Sequence, residues 1–226
     1  DEIEARGYTK AIKYLETIES RFPYGRYAQQ AQIDLAYVHF KEDDKESAIA
    51  ACERFIKLHP NHPNVDYLYY LKGLVNFNED LGLLGKISRQ DLTERDPRAA
   101  RDSFDAFKEL VNRHPDSKYA PDSIARMKYL MNALASYEIH VARYYMKRGA
   151  YVAAVNRVQY AVQHYPHAPA IEEALLVMAK AYDAMGIPAL RDDAKRVMQK
   201  NFPDSAYFKG IDGKTDPWWM PWGNAW

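Results

Sequence analysis

The 226-residue sequence holds a single cysteine, Cys52, and carries no net charge, with 31 Lys and Arg against 31 Asp and Glu. One cysteine excludes an internal disulfide framework and any all-cysteine zinc site. A balanced charge excludes a bulk field that would draw the chain to nucleic acid or anionic lipid, so a partner must be recognised by local surface. No apolar run approaches the roughly 18 residues that suggest a spanning helix. With 47% apolar composition, the chain nevertheless has the means to build a core and does not read as disordered. It begins at Asp1 and not at Met, which is compatible with the earlier removal of a signal segment.

What the chain does have is a phrase written five times: RFPYGRYA (21–28), LHPNHPNV (58–65), RHPDSKYA (113–120), HYPHAPAI (164–171) and NFPDSAYF (201–208). The prolines Pro23, Pro60, Pro115, Pro166 and Pro203 are spaced by 37, 55, 51 and 37 residues. Two of these intervals sit just above the ~34 residues of a tetratricopeptide repeat. Twelve residues before a proline stand Ala11, Ala48, Ser103 and Ala154, small residues that permit close helix approach. One residue later come Ile12, Ile49, Phe104 and Val155, and five before the proline come Ile18, Phe55, Leu110 and Ala161. That spacing draws an apolar helical face. The stretches after the prolines, IDLAYVHF (33–40), LYYLKGLVNF (68–77) and LLVMAKAY (175–182), supply the first helix of each next pair. Proline presets the turn and cannot continue the helix.

The sequence therefore predicts an all-α fold of five tetratricopeptide-like helix-turn-helix repeats stacked as an α-solenoid, since one helix pair cannot bury its apolar face alone. A single repeat domain over 1–226 is expected, with N-terminal repeats over about 1–77 and C-terminal repeats over about 98–209. The 55-residue interval predicts a loop insertion over 78–97, rich in Gly and charge. The 51-residue interval exceeds 37 by 14 residues, about four turns, and predicts one extended helix over about 123–148 ending at Gly149. In the fifth repeat Arg191 replaces the small residue, as befits a polar terminal unit. The tail, 210–226, holds Trp218, Trp219, Trp222 and Trp226. It is expected to fold back or to dock a partner, because it lacks the basic residues of an interfacial helix.

Catalytic and metal signals are weak. GLLGKIS (82–88) has two residues between its glycines and Ile87 after Lys86, so it is not a phosphate loop. Cys52 falls where other copies have Leu15, Phe107 and Val158, which makes it a core residue. His59 and His62, or His164 and His167, straddle a proline and lose helical ligand geometry, so no metal and no cofactor is expected. The acids Asp43, Asp44, Asp192 and Asp193 read as solvated or helix-capping groups. A helical-array hydrolase would need a carboxylate of raised pKa in a cleft. Recognition remains. The 18 tyrosines recur on first helices and turns, where they either fill gaps between helices or line a concave surface suited to an extended peptide with aromatic side chains.

The stretches RFPYGRYAQQAQIDLAYVHFK (21–41), HPNHPNVDYLYYLKGL (59–74), RDPRAARDSFDAFKELVNRHPDSKYA (95–120) and VARYYMKRGAYVAAVNRV (141–158) together resemble the BamD (ComL) family. This is the lipoprotein family of the bacterial outer-membrane β-barrel assembly machine, whose members have five tetratricopeptide repeats. The likeness runs from about residue 8 to 208; the tryptophan-rich tail is not part of it. It implies a non-enzymatic scaffold on the periplasmic face of the outer membrane. Implied partners are the POTRA domains of BamA, the lipoproteins BamC and BamE, and unfolded outer-membrane proteins, with no nucleic acid. A general repeat adaptor for another envelope protein or peptide is the alternative. The family's lipidated N-terminal Cys is not among these residues, so a lipid anchor is an inference from the likeness.

Two residue sets follow. Tyr24, Gly25, Tyr27, Gln30, Asp34 and Tyr37 alternate polar and aromatic groups after a tight turn and are expected to take a substrate peptide; the competing reading is a core tyrosine set with a structural glycine. Tyr144, Arg148, Asn156 and Arg157 lie in the fourth repeat, which by resemblance meets a POTRA domain. Asn156 and Arg157 interrupt a buried stripe formed by Ala153, Val155 and Val158. For Arg157 the alternatives are a partner carboxylate or a solvated pair within its own helix.

Overall fold

A computed structural model describes residues 7–77 and 97–205. The expected insertion over 78–97, apart from Pro97, and the expected tail over 210–226 lie outside the described residues. Among those described the chain is helical throughout, with α1 (Tyr8–Arg21), α2 (Arg26–Lys41), α3 (Lys45–Leu58), α4 (Val65–Asn76), α5 (Pro97–Arg113), α6 (Ala120–Lys147), α7 (Tyr151–His164), α8 (Ile171–Ala184) and α9 (Pro188–Asn201). The all-α, repeat-built architecture is as the sequence predicts. None of these helices is long and apolar enough to cross a membrane.

The chain falls into two compact units. In the first, α1 packs on α2, α3 packs on α2 and α4, and α5 joins α4 and the opening turns of α6. Its core runs from Ala11, Leu15, Ala31, Leu35 and Val38 to Ile33, Cys52, Phe55, Leu68 and Leu71, and then to Val65, Tyr69, Leu110 and Ala120. In the second unit, which takes α6 from Lys128 onward, α7 packs on α8 and α8 on α9. The expected extended helix is α6, of 28 residues and about 42 Å at 1.5 Å per residue. Leu130, Leu134, Ala135, Ile139, Ala142 and Met146 form its buried stripe.

The proline phrase has one physical meaning in four of its copies. The residue before the proline (Phe22, His59, Tyr165 or Phe202) has φ between −130° and −135° with ψ between 46° and 63°. A following proline disfavours the α region there, so the helix ends. After Pro60, Pro115, Pro166 and Pro203 a turn closes by bonds such as His62 N–H to His59 O (3.1 Å) and Ala168 N–H to Tyr165 O (3.0 Å). The first copy ends its helix in the same way at Phe22 but turns differently, because Gly25 sits at φ 114°, ψ 174°. Within pairs a second regularity appears: Asp43, Gly149 and Gly186 have φ 59°, 69° and 70°, each seventeen residues before its proline. Left-handed backbone at that point reverses the chain, and Gly or Asp tolerates it.

The small residues Ala11, Ala48, Ser103 and Ala154 are all buried, as are Leu15, Cys52, Phe107 and Val158. Ile18, though on the same face of α1 as Ala11 and Leu15, lies exposed near the C-terminal end of the helix. Arg191 pairs at 2.8 Å with Asp183 of α8 and with its neighbour Asp192, leaving Ala194 and Met198 as the buried part of α9.

Candidate functional site

In the first unit the site begins at Gly25. Its φ of 114° with extended ψ is open almost only to glycine, and it aims the start of α2 so that Tyr24 and Tyr27 stand out at 93% and 71% exposure. The Arg26 guanidinium lies 5.2 Å from the Tyr27 ring centroid. One turn on, Gln30 donates through Nε2 to Asp34 Oδ1 at 2.8 Å. Burial pushes the Asp34 carboxyl above the usual carboxylate range, against the lowering effect of that hydrogen bond. Tyr37 is different: it packs against the cores on either side of α2, with Lys41 Nζ 5.4 Å from its ring centroid. The structure thus places Tyr24, Gly25, Tyr27 and Gln30 at the surface, Asp34 half-buried, and Tyr37 in the packing that supports them.

The neighbouring helices continue this row with residues the sequence reading left out of the set. Tyr67 of α4 has its hydroxyl pKa raised by burial and, to a lesser degree, by Tyr119, Tyr37, Cys52 and Asp34. Tyr70 stacks on Tyr119 with centroids 4.7 Å apart and rings 15° from parallel. The Tyr70 hydroxyl donates to Asp122 Oδ2 at 2.7 Å, which also accepts from Arg126 Nε at 2.6 Å. The same guanidinium lies 4.4 Å from the centroid of Phe77. The signals were in the sequence as Tyr67 with Tyr70 at i,i+3 and Asp122 with Arg126 at i,i+4, but only stacking of α4 on the start of α6 joins them. The result is a surface of phenol rings interrupted by two carboxylates. Such a surface gives apolar area plus hydrogen-bonding ends.

In the second unit Tyr144 is 52% exposed, with the Arg148 guanidinium 5.2 Å from its ring centroid. Asn156 is exposed. Arg157 does not pair within its own helix. Its Nη1 donates to Glu138 Oε2 of α6 at 3.1 Å, and the Glu138 side chain is only 1% exposed while that of Arg157 is 44% exposed. Partial burial opposes the charge on Arg157, but Glu138 and then Tyr145 outweigh it and hold the guanidinium more firmly protonated. The four residues thus share the α6–α7 end of the unit, three of them facing outward and Arg157 clamping α7 to α6.

Among the described residues no group of three or more His, Cys, Asp or Glu side chains could hold a metal ion. His59 and His62 instead lie against the ring of Phe55, at 5.0 and 5.2 Å between centroids.

Comparison with known proteins sets these surfaces in context. Residues 1–197 match the profile of the family described as YfiO, outer membrane lipoprotein. The chain is 49% identical over 223 residues to a Neisseria meningitidis serogroup A protein named outer membrane protein assembly factor BamD, covering 98% of this chain and 84% of that one. Proteins of the same name from Xylella fastidiosa and Vibrio cholerae are 38% and 35% identical, over 84% and 88% of this chain and 65% and 83% of theirs. Likeness of this extent and degree means that the chain belongs to the YfiO/BamD family of outer-membrane lipoproteins.

Proposed function

We propose that the protein is a non-enzymatic assembly factor of outer-membrane proteins, acting as a scaffold at the periplasmic face of the outer membrane and held there by a lipid anchor at its N-terminus. Near-full-length likeness to proteins named as assembly factors supports the role. The first unit binds an extended segment of an unfolded outer-membrane protein along Tyr24, Tyr27, Gln30 and Asp34, extended by Tyr67, Tyr70 and Tyr119. The observation that carries this is the exposure of Tyr24 and Tyr27 beside a half-buried carboxylate, since large rings left in water next to polar groups suit aromatic-rich, strand-forming peptide. The second unit meets the POTRA domains of BamA through Tyr144, Arg148, Asn156 and Arg157, and BamC and BamE join the same assembly.

Two measurements test the proposal. A photoreactive side chain placed at Tyr27 or Gln30 should capture denatured outer-membrane protein, and the same probe at Lys108, on the exposed face of α5, should not. Titration of the chain with purified POTRA domains should show binding that Tyr144→Ala weakens. Equal capture at all three positions, or POTRA affinity indifferent to Tyr144 and Arg148, overturns the corresponding half.

A further inference from the structure

Asp34 differs from the ion-paired acids of the first unit. Glu19 accepts from Arg54 at 3.1 Å, Glu53 from Lys72 at 2.7 Å, Glu109 from Arg113 at 3.0 Å and Asp122 from Arg126 at 2.6 Å. Asp34 is more enclosed than several of these, yet its carboxylate receives a hydrogen bond from neutral Gln30 and no ion pair among the described residues. Lys41, two turns further along α2, is held over the rings of Tyr37 and Phe40, at 5.4 and 5.6 Å. Enclosing an anion without a countercharge is costly, so such a group is either neutralised by protonation or satisfied from outside. The upward pull of burial on its pKa reflects that cost.

The same unit shows what satisfies an acid among rings. Asp122, with Tyr70 donating to it and Phe77 alongside, holds a guanidinium, and that guanidinium lies over the Phe77 ring. Asp34 has a comparable setting, with Tyr37 on its own helix and Tyr67 close enough on α4 to feel its charge. What it lacks is the cation. Carboxylate plus phenol faces favour a planar, weakly hydrated cation, through a charge-assisted hydrogen bond and a ring contact together.

We infer that Asp34 is a specificity-determining residue of the first unit's surface, taking the guanidinium or ammonium of a basic side chain carried by the bound segment next to its aromatic residues. The inference rests on the peptide-binding reading of this surface and names a feature of the peptide that reading leaves open. A fluorescein-labelled peptide of alternating tyrosine and serine with one central arginine, and its counterpart with uncharged, near-isosteric citrulline, are titrated against the full chain and against Asp34→Asn. Wild type should prefer the arginine peptide by roughly tenfold or more, and Asp34→Asn, its fold checked by circular dichroism, should bind the two alike. Equal affinity of both peptides for wild type, or a preference that survives Asp34→Asn, overturns the inference while leaving the peptide surface standing. Failure of wild type to bind either peptide removes the peptide surface and the inference with it.

Discussion

Gly73 of α4 lies directly beneath the ring of Phe107 of α5, so close that a methyl on Gly73 would occupy the space of three ring carbons. The contact is locked by Ser103, whose Oγ donates to the Gly73 carbonyl at 2.8 Å. Phe107 is fully buried and also meets Tyr70 and Phe77, so its ring has no room to yield. Gly73→Ala, which would favour an isolated helix, should therefore destabilise the protein by about 1–3 kcal/mol through overpacking. Urea unfolding of Gly73→Ala should recover most of the loss in Gly73→Ala with Phe107→Leu. An unchanged midpoint in the single variant would show that α4 and α5 can separate.

At Gly25 the same substitution should act by a different mechanism. A Cβ there meets nothing within 4 Å, but φ is 114°. Gly25→Ala strains the backbone by about 1–3 kcal/mol, and the chain can relieve that by swinging the start of α2, moving Tyr24 and Tyr27. Peptide capture from position 27 should fall more than stability does. A variant with normal capture and lowered stability would separate the turn from the binding surface.

How much of this was legible in the sequence follows from how local each cause is. The helix pairs were readable because the small-residue position, the apolar face and the helix-ending proline repeat at fixed offsets; Ala48, Cys52 and Phe55 occupy the places that Ser103, Phe107 and Leu110 occupy one repeat later. The left-handed reversal seventeen residues before a proline was equally present, but Asp43 disguised it beside Gly149 and Gly186. The tyrosine row was only half legible. Tyr24, Tyr27 and Gln30 announce themselves within one helix start, whereas Tyr70 joins Tyr119 and the Asp122–Arg126 pair only when α4 meets the start of α6. Arg157 was legible as a polar interruption on α7, but its partner Glu138 lies 19 residues earlier on α6, where no periodicity links them.

Cys52 should report on opening of the first unit. Its thiol is fully buried between α2 and α4, and burial pushes its pKa up to about 12. Only the thiolate reacts. Against an ordinary cysteine near pKa 8.5, alkylation or disulfide exchange at neutral pH should be roughly a thousandfold slower or more, becoming normal in denaturing urea. Rapid modification of the native chain would mean that α3 opens locally.

Arg157→Ala leaves the enclosed Glu138 carboxylate without its guanidinium. Losing a hydrogen bond to a charged group typically costs about 1.5–3 kcal/mol; with the Arg157 side chain 44% exposed, screening places the loss at the lower end. Thermal unfolding should show a clear drop for Arg157→Ala, a smaller one for Arg191→Ala, whose pairs lie on the surface, and partial recovery when Glu138→Leu accompanies Arg157→Met. The consequence for POTRA binding is specific. If Arg157 acts at the interface, Arg157→Ala should lose affinity beyond what Glu138→Gln loses; equal losses in the two would assign its effect to positioning α7.

Asp34→Asn should stabilise the protein at the expense of binding. The Asp34 carboxyl titrates above its ordinary range in the folded chain, so the unfolded chain gives up that proton more readily. Its unfavourable contribution is therefore absent below the ordinary carboxylate range and develops as pH rises through it. Asparagine keeps an oxygen for Gln30 and carries no charge to enclose. Thermal unfolding at neutral pH should show Asp34→Asn more stable than wild type, with the difference vanishing as the pH falls below the carboxylate range. Binding of an arginine-bearing peptide should move the opposite way, weakening at neutral pH. A substitution that raises stability while lowering affinity marks a residue kept for its ligand; an Asp34→Asn chain less stable than wild type at neutral pH would show instead that the folded protein already satisfies the carboxylate.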